Sequence, residues 1–458
     1  MISYLGMTQL RTLSREAVEK VGEKVFLKGF IQRIRLHGKI AFFDLRDRSG
    51  IIQVVATDEK VISELTHLQV QSVVEFKAVV KERGEQYINE NIPTGRIEVE
   101  IISDFKVIHK AYEMPFDMGG ESLNLELPTL LDNRALALRH EKIAPIFKVQ
   151  EGIVNAFRKT LKDENFTEIF VPTLVPSATE GGAEVFKVDY YDYKAYLAQS
   201  PQFYKQIMVS IFERVFTVAH AYRAEPSVTT RHLSEYVSLD VEFGFIDSWT
   251  DIMDMAEKTV KGILDYVANN YQEEAKILGV SLPVIKNAIP RIKLSKAHEI
   301  VFERTKEDFR NEPDLDPGEE TELCKWAEEE HGSPFVFVTH YPVSKRPFYT
   351  MPDPEEPDLT LSFDLLGIKE EWFTGGQRIN DYEMLINNIK KVGAEPSNFE
   401  IYLQAFKYGM PAEGGFAIGL ERLTKDILGL SNVREASLFP RDMERVDVRL
   451  KEIQQKNK

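Results

Sequence analysis

Cysteine is almost missing from this chain: Cys324 is the only one among 458 residues. A single thiol can form neither an internal disulfide nor a cysteine-based zinc site, so a reducing cytoplasm is the expected compartment. Nowhere do 18 or more apolar residues run together, so no membrane-spanning helix is expected. The stretch Met1–Arg15 lacks a basic segment followed by an apolar one, and no secretory signal is expected there. The glycine-rich nucleotide signatures G-x-x-x-x-G-K-[ST] and G-x-G-x-x-G are absent too. A nucleotide, if used, must be held some other way. Positive charge is short: 57 Lys and Arg face 73 Asp and Glu, a net charge of −16. On its face that disfavours a nucleic-acid partner. Yet basic residues slightly outnumber acidic ones over residues 1–110, so the acid excess lies beyond them. The N-terminal part is therefore where a polyanion would dock.

What is present reads as an α+β protein with an all-β front. Val25–Ile31, Ile40–Arg46, Ile51–Val55, Val73–Val80 and Ile97–Ile102 alternate as strands, with a short helix near Glu59–Leu68. Five strands with one interposed helix suggest a small OB-type barrel over residues 1–110. Residues 111–137, with Pro115, Gly119, Gly120 and Pro128, read as a linker. From 138 to 458 a second domain is expected. Ile146, Val149, Ile153, Phe157 and Leu161 form one apolar helical stripe. Thr167–Pro172 reads as a strand closed by proline, and a helix is expected over 251–268. The stretch 270–335 is helical, acidic and irregular, like an insertion.

Four segments carry chemistry. Tyr222–Phe245 places Arg223, Glu225, His232 and Tyr236 on and between two strands, an arrangement that can hold a nucleoside triphosphate without a glycine-rich loop. Gly414–Gly419 is a glycine-rich strand feeding a helix with Arg422 at its start, where a guanidinium can stack on a purine. Asp364 and Glu371, with the Thr374 hydroxyl nearby, suit an oxygen-ligand magnesium site; a solvated acidic turn is the plainer alternative. Gln199, Gln202 and Lys205, spaced by three, would share a helical face.

Together these segments resemble a class II aminoacyl-tRNA synthetase, and within that class an aspartyl-tRNA synthetase of the archaeal type. The resemblance covers nearly the whole chain. It implies an OB-fold barrel joined to an antiparallel sheet flanked by helices, with ATP and Mg2+ as cofactors. It implies ATP-dependent activation of L-aspartate to an adenylate and transfer to the terminal ribose of tRNA(Asp), with tRNA(Asn) left open as a second acceptor. Residues 153–172, ending at Pro172, match the motif that builds a homodimer interface, with Asn165 where a glycine is common. By the same resemblance Arg223 holds the α-phosphate and the amino acid carboxylate, and Glu225 meets the adenine amino group. His232 takes the outer phosphates, while Tyr236 and Arg422, beside Gly419, take the two adenine faces. Arg223, Glu371 and Arg422 are the catalytic set, and Asp364, Glu371 and Thr374 the metal set. Glu180 in the loop from Ser177, together with Gln202, Lys205, Asp240, Thr374 and Arg378, is implied in binding aspartate. Phe42, Gln53 and Glu98 match positions that read an anticodon, as OB barrels read single strands.

The chain departs from the pattern at Glu413, usually histidine, at Trp372–Phe373, and at Asn380. Lys205 favours aspartate, because a neutral amide would leave that ammonium unpaired. Three other readings remain at this level: an asparaginyl-tRNA synthetase, a tRNA-independent amide ligase on the same catalytic fold, and a non-catalytic RNA-binding paralogue.

Overall fold

The computed structural model describes residues 10–120, 122–177, 185–226 and 229–450. The chain divides into two compact units, Met1–Leu125 and Glu126–Lys458, each with its own core.

In the first unit, β1 (Lys24–His37), β2 (Ile40–Asp47), β3 (Gly50–Ala56), β4 (Val73–Glu82) and β5 (Ile97–His109) close into a barrel of order β1-β2-β3-β5-β4. β3 meets β5 in parallel, and the other pairings are antiparallel. Strand alternation decides which side chains fill it. Ala41, Phe43 and Leu45 of β2 are fully buried, whereas Phe42, Asp44 and Arg46 stand on the outer face. Phe43 meets Phe76 of β4 edge-on at 5.7 Å. The helix Glu59–Leu65 joins β3 to β4, and its N-terminus is capped by the Asp58 carboxylate, which accepts from the Lys60 and Val61 amides. The barrel is an OB fold.

The second unit is built on an eight-stranded sheet. Its strands are β6 (Thr167–Glu168), β10 (Arg214–Tyr222), β11 (Glu235–Gly244), β12 (Arg291–Lys293), β13 (Phe335–Thr339), β14 (Ser362–Gly367), β15 (Glu370–Gln377) and β16 (Glu413–Gly419). The order is β12-β13-β14-β15-β16-β11-β10-β6, antiparallel through the middle and parallel only at the two ends. A small sheet of β7 (Leu174–Val175), β8 (Lys187–Tyr190) and β9 (Tyr193–Leu197) lies apart in order β7-β9-β8. The helix Ala144–Asp163 buries the expected stripe: Ile146, Val149, Ile153, Phe157 and Leu161 are each at most 5% exposed. Together with the helix Thr250–Asn270 it covers the sheet and builds the main core.

Two local expectations change. The strand expected over 167–172 pairs only at Thr167 and Glu168, because it is the outermost strand and Phe170 is 85% exposed. Asn165, just before it, adopts φ +63°, a left-handed conformation that asparagine tolerates and that glycine adopts without strain. The stretch 270–335 is less of an appendage than its composition suggests: it supplies β12 to the sheet edge and the helices Leu294–Thr305 and Pro317–His331. Among the described residues no helix is long and apolar enough to cross a membrane.

Candidate active site

The β10–β11 hairpin opens at one end of the sheet. Its register runs from Arg214↔Phe243 to Tyr222↔Glu235, and one further bond, Arg223 N to Ser234 O at 2.9 Å, carries it past the strands. Arg223 thus emerges at the rim, with its guanidinium 5.5 Å from the Tyr236 ring centre. β16 lies against β11 with Gly419 opposite Ser238, so the helix Leu420–Ile427 begins beside the same rim. That helix ends at Gly429, φ +62°, with Leu430 N bonded to Lys425 O and Gly429 N to Asp426 O. This is a Schellman closure. The helix start holds Arg422, whose Nη1 donates to the Glu371 carbonyl at 3.0 Å and lies 3.7 Å from its carboxylate. Arg223, His232, Tyr236, Glu371, Thr374, Gly419 and Arg422 all line one cavity. The imidazole of His232 is held below its usual pKa by partial burial and then by the Arg422 and Arg223 charges.

Two carboxylates lie on neighbouring strands here, Glu371 lining the cavity and Asp364 beside it. Asp364 of β14 sits opposite Thr374 of β15, and Glu371 is three residues earlier on β15. The Glu371 carboxyl is pushed above its usual range, first by desolvation and then by the Asp364 charge. Arg346 ties the site together: Nη2 donates to Asp364 Oδ2 at 2.8 Å and Nη1 to Thr374 Oγ1 at 3.2 Å. Asp364 Oδ1 is buried with no hydrogen-bond partner among the described residues. An orphaned carboxylate oxygen beside a second, repelled carboxylate is what a hard divalent cation satisfies. No cluster of three or more His, Cys, Asp or Glu side chains suited to a metal occurs among the described residues. Magnesium does not require one: it keeps waters and takes one or two carboxylates along with substrate phosphates. These residues fit magnesium.

Behind the β11–β16 pair is a fully buried charge cluster. The helix Gln202–Phe212 turns Gln202, Lys205, Gln206 and Val209 inward, the i, i+3, i+4, i+7 face. Gln199 precedes this helix instead of sharing its face, since Pro201 occupies the N-cap position and disfavours helical backbone before it. The Lys205 ammonium lies 2.9 Å from Asp240 and 3.0 Å from Glu242, with all three side chains at most 1% exposed. Burial works against the ammonium, but the two carboxylates outweigh it and raise its pKa. Arg378 Nε donates to Glu242 at 2.8 Å and its Nη2 to Gly415 O at 3.1 Å. Glu242 is held below its usual range: burial opposes this, while Arg378 and then Lys205 supply the larger effect. Gln202 reaches both Gln206, at 2.9 Å, and Glu242, at 3.4 Å.

Sequence reasoning singled out Gln202, Lys205, Asp240 and Arg378, and the structure brings them together. It did not single out Glu242, Gln206 or Arg346. The D-V-E alternation held the signal for Glu242, since residues 240 and 242 share one face of a strand. Glu225 is exposed at the start of the loop and does not line the cavity. Glu180 lies outside the described residues. Pro172 is exposed just beyond β6. Of the departures, Trp372 is 2% exposed and donates its indole N–H to Asp426 at 2.8 Å. Phe373 packs in the core, and Asn380 donates to Met410 O at 3.3 Å.

On the barrel, Gln53 donates to Glu98 at 2.8 Å, and Arg35 grips Asp44 through two bonds and Gln53 through a third. Phe42 stands outward on β2 next to this row, edge-on to His37 at 6.0 Å. An aromatic face beside base-edge donors and acceptors is chemically suited to unstacked nucleotides.

Comparison with known proteins agrees with these two units. A family model described as tRNA synthetases class II (D, K and N) matches residues 126–443, and one described as OB-fold nucleic acid binding domain matches residues 25–108. An aspartate–tRNA(Asp/Asn) ligase of Deinococcus radiodurans is 43% identical over 442 residues, covering 95% of this chain and 98% of that protein. An aspartate–tRNA(Asp) ligase of Pyrococcus furiosus is 39% identical over 447 residues, covering 95% and 99%. The crystal structure of asparaginyl-tRNA synthetase from Pyrococcus horikoshii with asparaginyl-adenylate superposes with a TM-score of 0.87 at 31% identity, covering 95% of this chain and 99% of that one. With the family matched over more than half its length and such relatives along nearly all of it, this chain belongs to the class II tRNA synthetases of the D, K and N group.

Proposed function

We propose that this protein is an aspartate–tRNA ligase, which joins L-aspartate to ATP as aspartyl-adenylate and passes the aspartyl group to the terminal ribose of tRNA(Asp), with tRNA(Asn) as a second acceptor. The observation that carries the amino acid is the buried pair Lys205 and Arg378. Two buried cations side by side favour a carboxylate side chain, because a charge-assisted hydrogen bond to a carboxylate is stronger than one to an amide. Relatives that charge both tRNAs and relatives that charge one are similarly close. The test is aspartate-dependent exchange of pyrophosphate into ATP, followed by aspartylation of the two purified tRNAs. No exchange with pure enzyme, ATP and magnesium would sink the reading, and equal charging of both tRNAs supports the dual acceptor.

In this reading the cavity holds adenine between Arg422 and Tyr236, with Gly419 giving the base a close approach. His232 takes the outer phosphates. Arg223 holds the α-phosphate and the aspartate carboxylate, so the attacking oxygen and the phosphorus are already neighbours. As negative charge grows on the α-phosphate, Arg223 and Arg422 are in place to meet it without reorganising. Asp364 and Glu371, with Thr374 beside them, would hold magnesium. Bound there, the cation supplies charge neutralisation at the phosphates. Gln202, Lys205, Asp240 and Arg378 orient aspartate, and its ammonium is assigned to Glu180. Phe42, Gln53 and Glu98 read the anticodon.

The working unit in this reading is a homodimer formed through the segment ending at Pro172, where the apolar side chain of Phe170 is left 85% exposed. Sedimentation should give twice the chain mass, and Phe170→Asp should shift it toward one chain.

A further inference from the structure

The buried cluster contains one carboxylate too many. Lys205 and Arg378 already balance Asp240 and Glu242. Glu413, the first residue of β16, is fully buried against the same group and has no cation of its own. Its Oε1 accepts from the neutral amide of Gln206 at 2.6 Å, and its Oε2 has no donor among the described residues. The internal residues outside the description, 121, 178–184 and 227–228, contain no Lys, Arg or His that could serve. Facing Glu413 are Glu242 from β11, Gln206 from the helix Gln202–Phe212, Arg378 after β15, and the Tyr402 phenol from the helix Glu400–Lys407. Arg378 makes its side-chain bonds to Glu242 and Gly415 O. A buried carboxylate with no partner cation is strongly disfavoured as an anion, and taking up a proton removes that cost.

We propose that Glu413 sits in the pocket as a neutral carboxylic acid sharing its proton with Glu242, and that this proton sets the pocket's charge so that a dicarboxylic amino acid can enter. With the proton in place the cluster is electrically neutral, and the substrate's side-chain carboxylate meets Lys205 and Arg378 without a third competing anion. Without it the cluster carries an extra negative charge directed at an anionic substrate. Burial, followed by the Glu242 charge, pushes the Glu413 carboxyl well above the usual carboxylate range, the direction this requires. The role in selection rests on the aspartate reading above; the protonation itself does not.

Infrared difference spectra of wild type against Glu413→Gln test the proton directly. The expected result is the carbonyl stretch of a protonated carboxyl at neutral pH, present in wild type and missing in the variant. Its absence from wild type overturns the proposal. The selection role is read from KM for aspartate in pyrophosphate exchange as pH is raised. Where the band titrates away, KM in wild type should climb with it, by roughly tenfold per pH unit for one linked proton, while Glu413→Gln stays level. A band that titrates with no matching climb overturns the role. If the band persists throughout, wild type and Glu413→Gln must share one KM profile, and different profiles overturn it. Should the variant fail to fold, the wild-type titration still decides. Should wild type show no exchange with aspartate at any pH, the functional reading fails, while the infrared band still reports on the proton.

Discussion

Lys205 shows how much one side chain carries here. Its ammonium is within 3.0 Å of two buried carboxylates, so removing it leaves Asp240 without a cation and Glu242 with Arg378 alone. Lys205→Leu is expected to cost about 3–5 kcal/mol of stability, measured by urea unfolding, because it strands a buried charge. Aspartate-dependent exchange should fall at least about thirtyfold, the lower end of what losing a buried charge partner costs. A variant that instead gained asparagine activation and kept aspartate activation would favour the asparaginyl reading. Glu421 makes a separate, pH-dependent contribution. Its carboxylate accepts from the Val237 amide, but burial dominates and pushes it up to about 7, from 4.5 when exposed. The folded state therefore binds this proton more tightly than the unfolded one. The stabilisation is fullest below pH 4.5 and is lost as pH rises through 7. Over that window wild type should lose about 3 kcal/mol more than Glu421→Gln, by denaturant unfolding at several pH values.

At the scale of elements, the site depends on how closely β16 lies against β11 and β15. A Cβ added at Gly415 would collide with the Val241 carbonyl and the Glu242 carboxylate. Gly415→Ala should therefore destabilise the protein by about 1–3 kcal/mol, as overpacking a core does. It should also raise KM for aspartate, because Gly415 O and Glu242 both hold Arg378. Unchanged KM and unchanged unfolding would refute that coupling. The elements also show what sequence pattern can and cannot deliver. The stripe Ile146–Leu161 and the β2 alternation were legible because burial on one face imposes a period on the residues that fill it. The shortened β6 was not: Thr167–Pro172 has strand composition throughout, but only two of its residues find a partner strand. Nor was β12 legible, since three residues within an acidic helical stretch carry no readable period.

At the scale of the whole molecule, the proposed function divides recognition between two compact units. The barrel's outer row of Phe42, Gln53 and Glu98 belongs to one unit and the candidate catalytic cavity to the other. Phe42→Ala should weaken tRNA binding by about 1–3 kcal/mol, the usual worth of one stacked base. It should leave aspartate-dependent pyrophosphate exchange, which needs no tRNA, unchanged. KM for tRNA and the exchange rate, measured side by side, check this, and a parallel loss of both would place Phe42 in folding instead.

The sequence by itself determined the class of the protein and its fold, an OB barrel joined to a class II catalytic domain, and it nominated charged residues around the cavity. Motif spacing carries these because each motif occupies one short stretch of chain, such as the β10–β11 hairpin or the β14–β15 pair. Only the tertiary structure decided that Arg346 bridges Asp364 and Thr374, that Glu242 joins Lys205 to Arg378, and that Glu413 is closed in beside them without a cation. Residues 205, 242, 378 and 413 come from four segments far apart in the chain. Their charges act on one another only because the sheet excludes water and brings them within a few ångströms, and no local pattern records that distance.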